Sequence, residues 1–135
     1  MAERAFPAHP DQLQAIQSFV MEQLREYDCP PRVQFQLEMA VEEIFVNITS
    51  YAYNQMEGEA VVRCCVQEDP IRLIIQFEDD GKPFNPLAKE APDISLPAEE
   101  RRIGGLGIHI VKKTMDAVNY EYQDGKNILT LKKNI

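Results

Sequence analysis

Residues 33–53, VQFQLEMAVEEIFVNITSYAY, hold the stretch that decides the fold. Val33, Leu37, Ala40, Val41, Ile44, Phe45, Ile48 and Ala52 recur at three- and four-residue steps, the spacing of one helical face. The stretch therefore predicts one helix with an apolar stripe to bury. At about 100° per residue, Glu43 and Asn47 lie roughly 40° apart on the far side of that stripe. A carboxylate and an amide one turn apart can serve one ligand together. They can equally sit on a solvated polar face, and only the rest of the chain separates the two readings.

Working outward, the period changes on both sides. Upstream, Leu13, Ile16, Phe19, Val20 and Leu24 keep helical spacing over 11–27, with Asp11 placed to cap and Cys29-Pro30-Pro31 placed to stop. Pro7 and Pro10 block an earlier helix, so residues 1–10 are expected to be extended and partly tied down. Downstream, residues 54–58 read as a polar turn, and 60–66 and 71–77 as two strands joined at Asp69-Pro70. Residues 85–103 carry Pro86, Pro92 and Pro97 with little periodicity; a structureless run of that length is usually a lid or binding loop.

Gly104-Gly105-Leu106-Gly107 then opens a helix with Ile108, Val111, Met115 and Val118 on its stripe. Residues 118–122 and 127–133 read as a hairpin around Asp124-Gly125. Strands joined by hairpins are antiparallel. The implied class is α+β: a two-layer α/β sandwich with helices on one face of a mixed or antiparallel sheet, forming one domain over residues 1–135.

A chain of 135 residues can bury a core without metal or disulfide staples. Lys and Arg number 14 against 22 Asp and Glu, a net charge of −8. The dense basic spots are only the pairs Arg101-Arg102, Lys112-Lys113 and Lys132-Lys133, so nucleic acid is not expected as the main partner. An acidic chain can still hold a polyphosphate if backbone N–H groups and a divalent cation offset repulsion. No run approaches ~18 apolar residues. The opening MAERAFPAHPDQ has no basic region followed by an apolar run. A cytoplasmic location without membrane association is the expectation. Cys29, Cys64 and Cys65, with only His9 and His109 beside them, make neither a disulfide framework nor a convincing zinc site.

Three pieces remain: Glu43 with Asn47 on a helix, Asp79-Asp80-Gly81-Lys82-Pro83-Phe84 at a strand end, and Gly104-Gly105-Leu106-Gly107 opening a helix after a lid-like loop. Singly, each has a bland explanation as a polar face, a turn or a flexible helix entry. In this order, they resemble the GHKL ATPase superfamily with its Bergerat ATP-binding fold. The nearest likeness is to its small bacterial anti-sigma factors that act as serine protein kinases. Glu43-Ile44-Phe45-Val46-Asn47 matches the N box, the Asp79–Phe84 hexapeptide the D-x-G-x-P-F box, and Gly105-Leu106-Gly107 the G-x-G box. The resemblance covers about residues 10–133.

That resemblance implies ATP and Mg²⁺. Asn47 would ligate the Mg²⁺ bridging the phosphates, an amide oxygen being a hard neutral donor. Asp79 would accept from the adenine amino group, with Gly81 and Phe84 shaping the base site. Gly104, Gly105, Leu106 and Gly107 would present backbone N–H groups to the phosphates, and residues 85–103 would close over the nucleotide. Glu43 would be the general base toward a protein serine. Arg102, ahead of Arg101, is the candidate for a cation near the γ-phosphate because both stand in the lid-like loop just before the glycines; a solvated charge pair is the other reading. The implied partners are a STAS-domain anti-sigma-factor antagonist as substrate, a sigma factor held when that antagonist is absent, and a second copy in a homodimer.

The sequence departs from the small kinases at Tyr51-Ala52-Tyr53, where they often carry His-Gly-Tyr. Glu42 lies roughly 100° round the helix from Glu43, so the two form no dyad. His109, Tyr120 and Tyr122 read as packing or surface residues. The alternative function is a nucleotide-binding regulatory module without significant phosphotransfer, and the altered tyrosine stretch keeps it open.

Overall fold

The computed structural model describes residues 1–53, 57–88 and 105–135. Five strands form one sheet: β1 (Ala2–Pro7), β2 (Glu59–Gln67), β3 (Arg72–Asp79), β4 (Ala117–Gln123) and β5 (Lys126–Asn134). Their order is β1-β2-β3-β5-β4, and every neighbouring pair runs antiparallel. The sheet is thus antiparallel, not mixed. Three helices pack on it: α1 (Leu13–Glu22), α2 (Pro31–Asn47) and α3 (Gly105–Thr114).

Helix α2 is central because its stripe is complete. All eight apolar residues from Val33 to Ala52 named above are buried. They meet one face of the sheet, where Phe6, Ala60, Val62, Cys64, Leu73, Ile75, Phe77, Leu129 and Leu131 are buried at alternate positions. The opposite face stays half-exposed and mixes apolar residues such as Val61, Ile74 and Ile128 with polar ones. There Arg63 ties three strands, donating to Glu3 at 2.6 Å, Gln76 at 3.2 Å and Glu78 at 3.3 Å.

Several sequence expectations need correction. The helix over 33–53 begins earlier, with Pro31 in its first turn, where proline's missing N–H costs nothing. It also ends as an α-helix at Asn47. Ile48–Ala52 winds more widely, with Tyr53 N–H donating to the Ile48 carbonyl at 3.1 Å, five residues back. The helix expected over 11–27 starts as a tight turn at Pro10–Gln12. Its cap is His9, whose ring accepts from Asp11 N–H at 3.3 Å, so Asp11 is not the cap. It stops at Glu22, after which Gln23, Leu24 and Arg25 donate three residues back.

The N-terminal segment is a true edge strand, paired with β2 and anchored by Phe6. At the other end α3 stops at Thr114, so Val118 belongs to β4 and not to the helical stripe.

Candidate functional site

The end of α2, the end of β3 and the β4–β5 hairpin line a small pocket of about 20 Å³. Its walls are mainly apolar, Ile44, Ile48, Phe77 and Leu129 among them, and its buried polar side chains are Asn47, Asp79 and Asn127. That is the usual make-up of a small-molecule site: an apolar cleft with a few placed polar groups.

Asn47 closes α2 and is 2% exposed. Neither its Nδ2 nor its Oδ1 has a hydrogen-bond partner among the described residues. A buried polar group left in that state costs about 1–3 kcal/mol. That cost makes Asn47 a candidate for a position that a ligand would complete.

Asp79, the last residue of β3, is buried too, but it is well supplied. Its Oδ1 accepts from Gly81 N–H at 3.0 Å and from Asn127 Nδ2 at 2.9 Å. Burial pushes this carboxyl above the usual range, against the pull of those two donors, and the neighbouring Asp80 and Glu78 add to the rise. Asn127 also donates to the Lys82 carbonyl at 2.9 Å and accepts from Phe84 N–H at 3.0 Å and from the Tyr120 hydroxyl. One side chain of β5 therefore holds three positions of the Asp79–Phe84 hexapeptide.

That hexapeptide is braced from α2 as well. A Cβ built on Gly81 would lie 2.5 Å from the Ala52 carbonyl oxygen, and Lys82 N–H donates to the same oxygen at 2.9 Å. The close approach that Gly81 permits is thus to the widened end of α2. Tyr53, which follows that widened turn directly, has its hydroxyl 2.6 Å from the Glu59 carbonyl and 2.7 Å from Asp80 Oδ1, while accepting from Asp80 N–H at 3.1 Å. Burial and the Asp80 carboxylate push its phenol well above the ordinary range, so it remains a donor. Its ring lies where a side chain on Gly58 would be, 2.3 Å from a Cβ built there.

Glu43, one turn before Asn47, lines a different space. It sits in a groove of about 240 Å³ between α2 and α3, beside Phe35, Met39 and Ile110. A Cβ built on Gly107 would lie 1.9 Å from the Glu43 carboxyl carbon, so the carboxylate as placed occupies the space a side chain there would take. The pairing of Glu43 with Asn47 on one ligand therefore spans two adjoining cavities. Phe35, at the groove's edge, is 62% exposed.

Gly105, Leu106 and Gly107 form the first turn of α3, as the G-x-G reading expects. Gly104, Arg101 and Arg102 lie outside the described residues, as does the lid expectation beyond residue 88. The start of that segment is ordered: Pro86–Ala88 makes a short helical turn, with Pro86 buried and the Leu87 carbonyl accepting from Lys112 Nζ at 2.9 Å. His109 is half-buried within α3, and no group of metal-binding side chains occurs among the described residues. No helix there is long and apolar enough to cross a membrane.

Asn127 and Tyr120 were not singled out from the sequence as site residues. The one available signal was position: Asn127 sits two residues after the Asp124-Gly125 turn, in the strand that pairs with β3.

An antiparallel sheet of this order, with a small pocket at the end of its central helix, is shared with a known class of fold. The chain belongs to the histidine kinase-like ATPase domain family, matched over residues 6–133. Among individual proteins it is similar to the serine-protein kinase RsbW of Listeria monocytogenes, 30% identical over 101 residues, 71% of this chain and 63% of the relative. RsbW of Bacillus cereus is 32% identical over 100 residues, 71% of this chain and 61% of the relative. The serine/threonine-protein kinase BtrW of Bordetella bronchiseptica is 25% identical, over 74% of this chain and 70% of its own. The match thus spans little more than three fifths of the RsbW proteins' length.

Among solved structures, the SiaB-SiaC complex from Pseudomonas aeruginosa matches with TM-score 0.63 and 19% identity, over 100% of this chain and 90% of that one. The catalytic domain of the histidine kinase ThkA matches with TM-score 0.50 and 10% identity, over 99% of this chain and 98% of its own. Both likenesses are of fold.

Proposed function

We propose that this chain is a Mg·ATP-dependent serine/threonine protein kinase that works as an anti-sigma factor, with residues 1–135 as its single ATP-binding kinase domain. The observation that carries the proposal is the unpartnered, buried amide of Asn47 in the same pocket as the Asp79 carboxylate. One is suited to a cation held by phosphates, the other to a base that offers a donor. Asn47 Oδ1 would hold Mg²⁺, which when bound supplies charge neutralisation at the phosphates. Asp79 accepts from the adenine amino group, Phe84 and Leu106 flank the nucleotide, and the N–H groups at Gly104, Gly105 and Gly107 meet the phosphates.

In the transfer itself, Glu43 takes the proton from a serine hydroxyl of the protein substrate. The serine oxygen bonds the γ-phosphorus as the bond from that phosphorus to the ADP oxygen breaks, and ADP leaves. Arg102 is the assigned cation at the γ-phosphoryl group. Positioning and charge neutralisation supply most of the rate in such a transfer. The groove beside Glu43 is the approach for the substrate segment. By the same resemblance, that substrate is a STAS-type antagonist, the chain pairs with a second copy in the cytoplasm, and it holds a sigma factor when the antagonist is unavailable. The names of the kinase relatives support the reading.

A second reading has its own observation. Glu43 lies against Gly107 in a cavity separate from that of Asn47, as suits a module that binds nucleotide to hold a partner without transfer. A phosphotransfer assay with radiolabelled ATP and a STAS-domain protein separates the two. Labelled substrate that disappears with Glu43→Ala supports the kinase. A nucleotide-dependent complex with no labelled product supports the module.

A further inference from the structure

The Asp79–Phe84 hexapeptide is held by one side chain from another part of the sheet. Asn127 is 4% exposed, and all four of its hydrogen-bonding positions are filled. Two of those partners are backbone groups, and they fix which way the amide points. Phe84 N–H can only donate, so it faces the amide oxygen; the Lys82 carbonyl can only accept, so it faces the amide nitrogen. The reversed amide would set oxygen against the Lys82 carbonyl and the Asp79 carboxylate together. The Tyr120 hydroxyl adds a second donor to the same oxygen. In this orientation Asn127 and Gly81 both spend their donors on Asp79 Oδ1, which leaves Oδ2 as the oxygen free to receive a ligand donor.

We propose that Asn127, oriented by Tyr120, is a positioning residue that sets which oxygen of Asp79 meets the purine, and so governs preference for a base carrying an amino group over one carrying a carbonyl. The inference rests on the nucleotide reading of this pocket and goes beyond it. It places base selectivity in the β4–β5 hairpin, outside the N box and the two glycine boxes. The relay acts through Asp79, and neither Asn127 nor Tyr120 takes part in transfer.

The probes are ATP and ITP, which differ at the group in question: inosine has a carbonyl where adenine has its amino group. Both are titrated calorimetrically with Mg²⁺ into the wild type, Tyr120→Phe, Asn127→Ser and Asn127→Ala. The wild type is expected to prefer ATP. Asn127→Ala should lose roughly 10- to 100-fold in ATP affinity while ITP changes less than about threefold, because only the first ligand uses a correctly presented carboxylate. Asn127→Ser, which keeps one donor, should recover part of the preference. Tyr120→Phe removes a single hydroxyl from a half-buried ring, so it keeps the fold and should still lower the ATP:ITP ratio a few-fold.

A nucleotide-free readout accompanies these. In ¹⁵N-edited NMR spectra the Asn127 side-chain amide protons should exchange slowly in the wild type and faster in Tyr120→Phe. Equal losses for both nucleotides in every variant would overturn the inference and leave Asn127 a brace for the fold. Fast exchange in the wild type would overturn the fixed orientation. A wild type that binds neither nucleotide would instead bring down the kinase reading, and this inference with it.

Discussion

Two asparagines face one pocket at nearly equal burial, Asn127 at 4% exposure and Asn47 at 2%. At Asn127 every donor and acceptor position is filled from within the protein, whereas at Asn47 neither amide atom has a partner among the described residues. On the proposed function, the first belongs to the part of the site that the fold completes alone, a seat for a base, and the second to the part that a ligand would complete. The same residue type would then contribute cohesion in one place and binding in the other, and burial alone does not distinguish them. The list of partners does.

The largest effect expected lies on the open side. Glu43→Ala should lower phosphotransfer by about 10²–10⁴-fold, the usual contribution of a general base, with ATP affinity nearly unchanged. A radiolabel transfer assay beside calorimetry checks both halves, and retained transfer would remove Glu43 from its role.

Next in size is the contrast in stability between the two asparagines, read by urea denaturation. Asn127→Ala should cost about 2–4 kcal/mol, since it strips partners from buried groups at Asp79, Lys82, Phe84 and Tyr120. Asn47→Ala removes an unpartnered buried amide, so it should leave stability unchanged or raise it by up to ~1 kcal/mol. Equal costs for the two would erase the distinction drawn between them.

A smaller effect concerns pH. Burial raises the Asp79 carboxyl above its ordinary range, so its ionised form burdens the fold at neutral pH. The stability linked to this group is greatest at low pH and is lost as pH rises through the folded-state value. Asp79→Asn should therefore raise the melting temperature at pH 7. The gain should shrink as pH falls into the carboxylate range, while ATP affinity is lost. A gain that grew on acidification would contradict the sign. Smallest of all, Phe35→Ser on the groove's exposed edge should raise KM for the protein substrate a few-fold without changing ATP affinity. A KM left at the wild-type value would take that groove out of substrate recognition.

Much of this was legible in the sequence, and for a physical reason. The α2 stripe, Glu43 with Asn47, and the Asp79–Phe84 hexapeptide are local patterns whose spacing follows from helix and turn geometry. What was missed depends on tertiary contact. Asn127 reaches Asp79 across 48 positions of sequence, through strand pairing that no local pattern announces. Tyr120 read as packing because alternation in a strand does not say what its hydroxyl touches. Beside its expected place at the purine, Gly81 has a crowding neighbour in Ala52, brought there by the widened turn that follows Asn47, and no local pattern announces that contact. β1 was read only as extended, since AERAFP buries little beyond Phe6 and its pairing partner lies in β2. Arg102, Gly104 and the body of the expected lid fall outside the described residues.

The most direct test is calorimetric titration of ATP into the wild type and Asn47→Ala, each with and without Mg²⁺. If Asn47 is the open half of the site, the wild type binds ATP with Mg²⁺ and far more weakly without it, and Asn47→Ala loses roughly 100-fold with Mg²⁺ while remaining folded. Equal affinity in wild type and variant would contradict that assignment and would leave the orphaned amide of Asn47 without a function.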